Sequence, residues 1–214
     1  MQHLVLYYSP GACSLAAHVV LQEMGVPFEA RRVTIAKSEH LQSDYLTLNP
    51  RARVPLLLAD GARIRELSAI LTWLGQQCGL YPPAGSLDAA RCGEWLAWMT
   101  SGVHISFGLI WRGERFSRDA ADYERIKARG YEWLDEQFGE IDTALKDRPF
   151  VLGETYSVAD ANLLPFYRWG HRVGLDMQTC CPNWTAHTRR MLARPAVITA
   201  LEAEGVDIWE GASH

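Results

Sequence analysis

The 214-residue chain contains no Cys-x-x-Cys pair. This excludes a dithiol redox motif of that spacing and the usual zinc knuckles. Its five cysteines, at positions 13, 78, 92, 180 and 181, are odd in number and irregularly spaced. They do not form a disulfide framework and fit a reducing compartment, so a cytoplasmic protein is expected. The vicinal pair Cys180–Cys181 has no paired ligands nearby and reads as part of a structural loop, so no metal is expected. A window of about 18 uncharged apolar residues is also missing, which argues against a spanning helix. The apolar start HLVLYY is short and has no basic flank, so a signal peptide is not expected. Positive charge is not in excess. The formal net charge is -4, which provides no global field for nucleic acid or an anionic membrane. Internal repeats and low-complexity segments are absent. What remains is 48% hydrophobic and 21% charged residues, the balance of a folded soluble chain with a substantial core, in one large or two small domains.

Residues 3–7 (HLVLY) read as a short buried strand. Beyond a Pro-Gly turn, Ala16, Val19, Val20 and Met24 recur at helical spacing, and Gly25 with Pro27 supplies a stop. Residues 28–35 (FEARRVTI) read as a second strand and 36–48 as loosely helical. VPLLLA and ARIRE read as strands joined at Asp60-Gly61, a hairpin signal. A helix then runs from Glu66 to about Cys78, with Ile70, Trp73 and Leu74 on one face. This order predicts a small mixed sheet with one parallel and one antiparallel pairing, covered by helices. Near residue 81 the character changes. YPPAGSLDAA reads as a linker, and every long segment beyond it has helical period. DAARCGEWLAWMTSGVHISFGLIWRGERF is one long aromatic helix or a bent pair. DYERIKARGYEWLDEQFGEIDTAL carries an apolar stripe of Ile126, Trp133, Leu134, Phe138, Ile141 and Leu145. SVADANLLPFYRWGHRVG opens on Ser157 with Asp160 three residues on, a capping-box pattern. One or two final helices surround Pro195. The expected organisation is an α/β domain over 1–80, a linker over 81–88 and an all-α domain over 89–214.

Cys13 and Ser14 lie where the first strand hands over to the first helix. Free N–H groups and the helix dipole favour negative charge there, and a thiol so placed can ionise well below about 8.5. Two mechanisms share this geometry: Cys13 as the reactive thiolate, or a substrate thiolate held by Cys13 and the Ser14 hydroxyl. A small buried filler is the bland alternative. Because position 16 is Ala, a CxxC cycle is excluded here. Pro55 at the start of a strand removes a ladder donor. If its bond to Val54 is cis, the Val54 backbone turns toward the ligand region; a trans edge proline is equally compatible with the residues. Glu66 at the start of the third helix either complements the dipole or captures an ammonium group.

Taken in order, YYSPGACSL, NPRARVPLLL, RELSAIL and SVADANL resemble the glutathione transferase family, and the opening with EWLAWMTSGVHISF is most similar to its bacterial beta class. The resemblance runs from residue 4 to about 205. It implies a thioredoxin-like N-terminal domain, an all-α C-terminal domain, a homodimer, a glutathione site on the first domain and an electrophile site between the two. By this resemblance Cys13 lies beside the glutathione sulfur and Ser14 is a candidate thiolate stabiliser. Val54, with Pro55 cis and Arg53 before it, pairs its backbone with the cysteinyl part. Glu66 binds the γ-glutamyl ammonium, with Leu67 and Ser68 beside it, and Lys37 falls near a glycine-carboxylate site. His104 faces the site from the helical domain. Read from the residues alone, Phe107, Trp111 and Phe116 either line an apolar electrophile pocket or belong to the core. Asp160 matches a fold-forming acid. Three departures stand out. Leu67 replaces a Ser or Gly, leaving only its N–H to serve and a side chain placed to crowd the site. Ala52 replaces a glycine, and Ile105 replaces a lysine.

The resulting expectation is an enzyme of the detoxification type that conjugates glutathione, its co-substrate, to small apolar electrophiles by stabilising the glutathione thiolate. Two alternatives stay open: a glutathione-dependent thiol–disulfide oxidoreductase acting through Cys13, and a non-catalytic glutathione-fold binding module.

Overall fold

The computed structural model describes residues 3–211, so the outermost residues of the expected domain bounds, 1–2 and 212–214, lie outside the described residues. Strand β1 (Leu4–Tyr8) is buried along its whole length and lies inside a four-stranded sheet. It pairs in parallel with β2 (Glu29–Arg32) and antiparallel with β3 (Leu56–Ala59). Strand β3 pairs antiparallel with β4 (Ala62–Arg65), giving the order β2-β1-β3-β4 and the expected mixed sheet. Register places Leu6 opposite Ala30 on one side and Leu57 on the other. Asp60 and Gly61 both take positive φ, 49° and 83°, as a two-residue turn of the favoured hand requires. Strand β2 is shorter than the run 28–35 predicts. After Val33 donates to the Tyr8 carbonyl at 2.7 Å, the chain turns into short 3-10 helices, with the Thr34 N–H held by the Glu39 carboxylate at 2.6 Å.

Helix α1 (Leu15–Met24) is buried without interruption from Leu15 to Leu21. A surface helix hides one stripe, whereas this one is covered all round, by the sheet and α3 (Leu67–Cys78) and by two later helices. Each of its buried Leu and Val side chains contributes about 1.5–3 kcal/mol of transfer free energy. Between β2 and β3 lies α2 (Ser43–Leu48). The aromatic segment is the bent pair: α4 (Leu87–Trp98) and α5 (His104–Trp111) are separated by a π-helical turn over Met99–Val103. Helix α6 (Tyr123–Ala144) buries Gly130, Leu134, Phe138 and Ile141. Ile126 and Trp133 of the predicted stripe are only half-buried, and the Arg129 guanidinium covers the Trp133 ring.

Helix α7 (Val158–Arg172) is the axis of the helical half, buried from Val158 to His171. Its predicted capping box is present. The Ser157 hydroxyl accepts from the Ala159 N–H, and one Asp160 carboxylate oxygen accepts from the Ser157 N–H at 2.9 Å and the Ser157 hydroxyl at 3.0 Å. The other oxygen takes the Val151 N–H at 2.9 Å and lies 3.0 Å from His187 Nε2. Helix α8 (Met177–Cys180) follows, then α9 (Pro182–Leu192) and α10 (Pro195–Glu204), each of the last two with Pro at its first position. Helices α7 and α10 complete the cover on α1, so one core runs from sheet to helices. No helix among the described residues is long and apolar enough to cross a membrane.

Candidate functional site

The loop between β1 and α1 carries Cys13 and is held from the far end of the chain. Gly11 sits at φ 65° with the Arg168 guanidinium packed over it, so close that a Cβ would meet Arg168 Nη1 at 2.6 Å. Its N–H donates to Glu204 Oε2 at 2.8 Å, and its carbonyl accepts from the Trp169 indole at 2.8 Å. The other Glu204 oxygen lies 3.0 Å from His18 Nδ1, and that pair is fully buried. Glycine is needed here for both the backbone sign and the space.

On this loop Cys13 is buried, and its Sγ points at the Val54 carbonyl, 3.9 Å away. The Val54–Pro55 bond is cis, which resolves the open choice of isomer. The segment before it is fixed by its own side chains. The Tyr45 hydroxyl and Asn49 amide both donate to the Arg53 carbonyl, at 2.6 and 2.7 Å. Ala52 takes φ 53°, where an L side chain costs about 1 kcal/mol, and this accounts for a glycine preference at that position. The Val54 N–H has no partner among the described residues.

The electrostatics at Cys13 favours its holding a substrate thiolate over ionising itself. Burial pushes the Cys13 thiol up to about 12, outweighing the nearby Cys13 and Ser14 N–H groups. At neutral pH Cys13 is a neutral thiol and a hydrogen-bond donor. Ser14 is corrected. It is fully buried and turned inward, its hydroxyl donating to the Ser9 carbonyl and accepting from the Ser9 N–H, both at 3.2 Å. That hydroxyl braces the loop and is not presented to the cleft.

In the helical half, His104 begins α5 directly after the π-helical turn, a feature frequent at functional sites. Its ring meets Phe166 and Trp169 edge-on, with centroids 5.7 and 5.2 Å apart. Burial, then the charges of Arg112, Arg53 and Arg115, lower it to about 4, so the imidazole is neutral. Arg53 acts weakly on Cys13, well behind burial, and on His104 after burial and Arg112. Trp111 is 43% exposed, with Phe107 and Trp169 behind it. Phe107 takes the core alternative: it is wholly buried among Trp111, Phe138, Phe166 and Trp169. Phe116 remains at the surface, 45% exposed.

The start of α3 is open. Glu66 precedes it at φ 72°, an unusual backbone for a residue other than glycine, and no side chain caps the helix. Its carboxylate is half-exposed and takes a hydrogen bond from Arg51. Leu67 does not crowd this spot: it is buried in the core, leaving its N–H facing outward, with Ser68 half-buried beside it. Lys37 is exposed in the 3-10 turn Ile35–Lys37.

Residues 11–77 match the glutathione S-transferase N-terminal domain and residues 114–195 the C-terminal domain. Glutathione S-transferase GstA of Escherichia coli O157:H7 is 33% identical over 94% of this chain and 98% of its own length. The chain belongs to the glutathione S-transferase family. A sphingomonad glutathione S-transferase complexed with glutathione superposes with TM-score 0.84 at 36% identity, covering 95% of this chain and all of its own. The beta-class glutathione S-transferase of Sphingomonas chungbukensis superposes equally well, TM-score 0.84 at 34% identity, with 95% of this chain covered and 100% of that chain. The thioredoxin-like sheet and helical C-terminal half expected from the sequence are the fold of this glutathione S-transferase.

Sequence reasoning missed the cationic rim. Arg112 and Arg115 follow the aromatic run as WRGER and act on His104 together with Arg53. Arg115 is itself pushed below its ordinary value by burial and by the other two guanidinium groups. The spacing of two arginines just past an apolar helix was the available signal. The hold of Glu204 and Trp169 on Gly11 spans most of the chain, and no local pattern announces it.

Proposed function

We propose that this family member, of the bacterial beta class, transfers glutathione to small apolar electrophiles and works as a cytoplasmic homodimer. The observation that carries the reading is a buried Cys13 thiol, kept neutral by burial, whose Sγ faces the Val54 carbonyl at 3.9 Å. Glutathione lies along Val54, whose N–H and carbonyl pair with the cysteinyl backbone. The γ-glutamyl ammonium meets Glu66, and its carboxylate takes the free N–H groups of Leu67 and Ser68 at the helix start. Lys37 receives the glycine carboxylate. The Cys13 S–H then swings from the Val54 carbonyl to donate to the glutathione sulfur.

Lowering a thiol by about two pK units requires about 2.7 kcal/mol. One hydrogen bond from a neutral thiol supplies about 1 kcal/mol, and the open N-terminus of α1 with the field of Arg53, Arg112 and Arg115 supplies the rest. The thiolate attacks an electrophilic carbon held against Trp111 and the neutral His104, and the leaving group departs with the bonding pair. Neutral His104 packs and orients; with a value near 4 it makes a weak base. Cys13 is a poor nucleophile by the same measure, because a thiol at about 12 is ionised about once in 10⁵ molecules at pH 7.

The test is aryl-halide conjugation by Cys13→Ala. Removing one donor of about 1 kcal/mol leaves the rate within about tenfold of the parent. Complete loss of conjugation with intact glutathione binding would make Cys13 the nucleophile and overturn the reading. From pH 5.5 to 8 the conjugation profile should show no step that His104→Phe removes. Light scattering in solution tests the dimer.

A further inference from the structure

Outside the cleft, the junction of α8 and α9 brings two sulfurs together. Cys180 ends α8, Cys181 stands between the helices, and their Sγ atoms are 3.5 Å apart. In a continuous α-helix adjacent side chains diverge by about 100°. Here Cys181 leaves helical geometry, with φ -134° and ψ 64°, and the two thiols converge. Their surroundings differ. Cys180 is exposed, whereas Cys181 is 1% exposed, with Phe138 O 4.0 Å from its sulfur. A disulfide bond is about 2 Å long, so closure moves the sulfurs by about 1.5 Å.

We propose that Cys180 and Cys181 form a second, redox-active site that exchanges with small disulfides carrying no negative charge. Cys180 is the attacking thiol and Cys181 the resolving one. The Cys180 thiolate attacks one sulfur of the disulfide, forms a mixed disulfide and expels the first thiolate, which takes the Cys181 proton. Cys181 sulfur then attacks Cys180 sulfur and expels the second thiolate, which takes a proton from water. Two electrons pass from the pair to the disulfide, leaving a Cys180–Cys181 bond and two free thiols. Two equivalents of the uncharged thiol reverse the reaction.

The division of roles follows from burial and hydrogen bonding. The Cys181 S–H holds the Cys180 thiol below its ordinary value, and the same bond with burial pushes Cys181 up. The charge of Asp135 acts on both sulfurs, that of Asp176 on Cys180 and that of Asp142 on Cys181, all opposing ionisation. These carboxylates also disfavour an anionic disulfide, which sets the substrate class. The inference does not depend on the transferase reading.

The experiment treats the folded full-length chain with bis(2-hydroxyethyl) disulfide, quenches in acid and weighs the tryptic peptide 173–189, which holds both cysteines and excludes Cys13. The wild-type peptide should lose two hydrogens and carry no adduct. Cys181→Ser should keep one mercaptoethanol adduct on Cys180, and Cys180→Ser should stay unmodified while conjugating glutathione at the parent rate. An unmodified wild-type peptide, or a wild-type adduct as persistent as that of Cys181→Ser, overturns the proposal. The wild-type masses decide alone if Cys181→Ser does not fold.

Discussion

Two helices in this molecule begin beside an acidic side chain, and the acids do opposite things. At the start of α7, Asp160 is fully buried, and both its oxygens are used by Ser157, Val151 and His187. At the start of α3, Glu66 points outward, caps nothing, and shares one oxygen with an exposed arginine. The closed start spends its hydrogen-bonding capacity on the fold. The open start keeps its N–H groups and a carboxylate for something that arrives from outside. Acid at a helix start is one sequence signal with two meanings, and burial separates them.

The largest test of this contrast is Asp160→Ala. It strands buried donors on three residues and should cost about 3–5 kcal/mol in urea unfolding. A loss under about 1 kcal/mol would erase the distinction, since Asp160 would then be no more structural than Glu66. Next, Glu66→Gln should weaken glutathione binding by about 10- to 30-fold, or 1.4–2 kcal/mol, in calorimetric titration. Its melting temperature should stay within about 1 °C of the parent. Glu66→Gly sharpens the contrast further: relief of the φ 72° backbone should stabilise the fold by about 1 kcal/mol while binding is lost. Smallest is Arg51→Ala, which removes an exposed ion pair and should change stability by less than about 0.5 kcal/mol.

Much of this was readable from residues because the signals are local. Ser157 and Asp160 lie three apart, the Asp60-Gly61 turn is a dipeptide, and strand and helix periods are short. What could not be read is rotation about an axis. Leu67 is one residue into a helix, and whether its side chain meets a ligand or the core depends on how α3 is turned against the sheet. Phe107 is the same case on α5, whose faces are almost uniformly apolar, so periodicity cannot say which one looks inward. Ser14 was misjudged for a related reason: its partner is the Ser9 backbone, and backbone groups leave no mark in a residue pattern. The two roles open to Cys13 could not be separated in sequence because helix position is visible there and depth is not.

The carboxylate of Glu204 that holds Gly11 has a consequence for the order in which the protein is made. The Cys13 loop is synthesised well ahead of the group that takes its N–H, which lies 193 residues later. A chain emerging from the ribosome at about 5–20 residues per second completes the sheet well before α10 exists. For that interval the loop lacks its last tether, so the earliest-made part of the site becomes competent only when the final helix arrives.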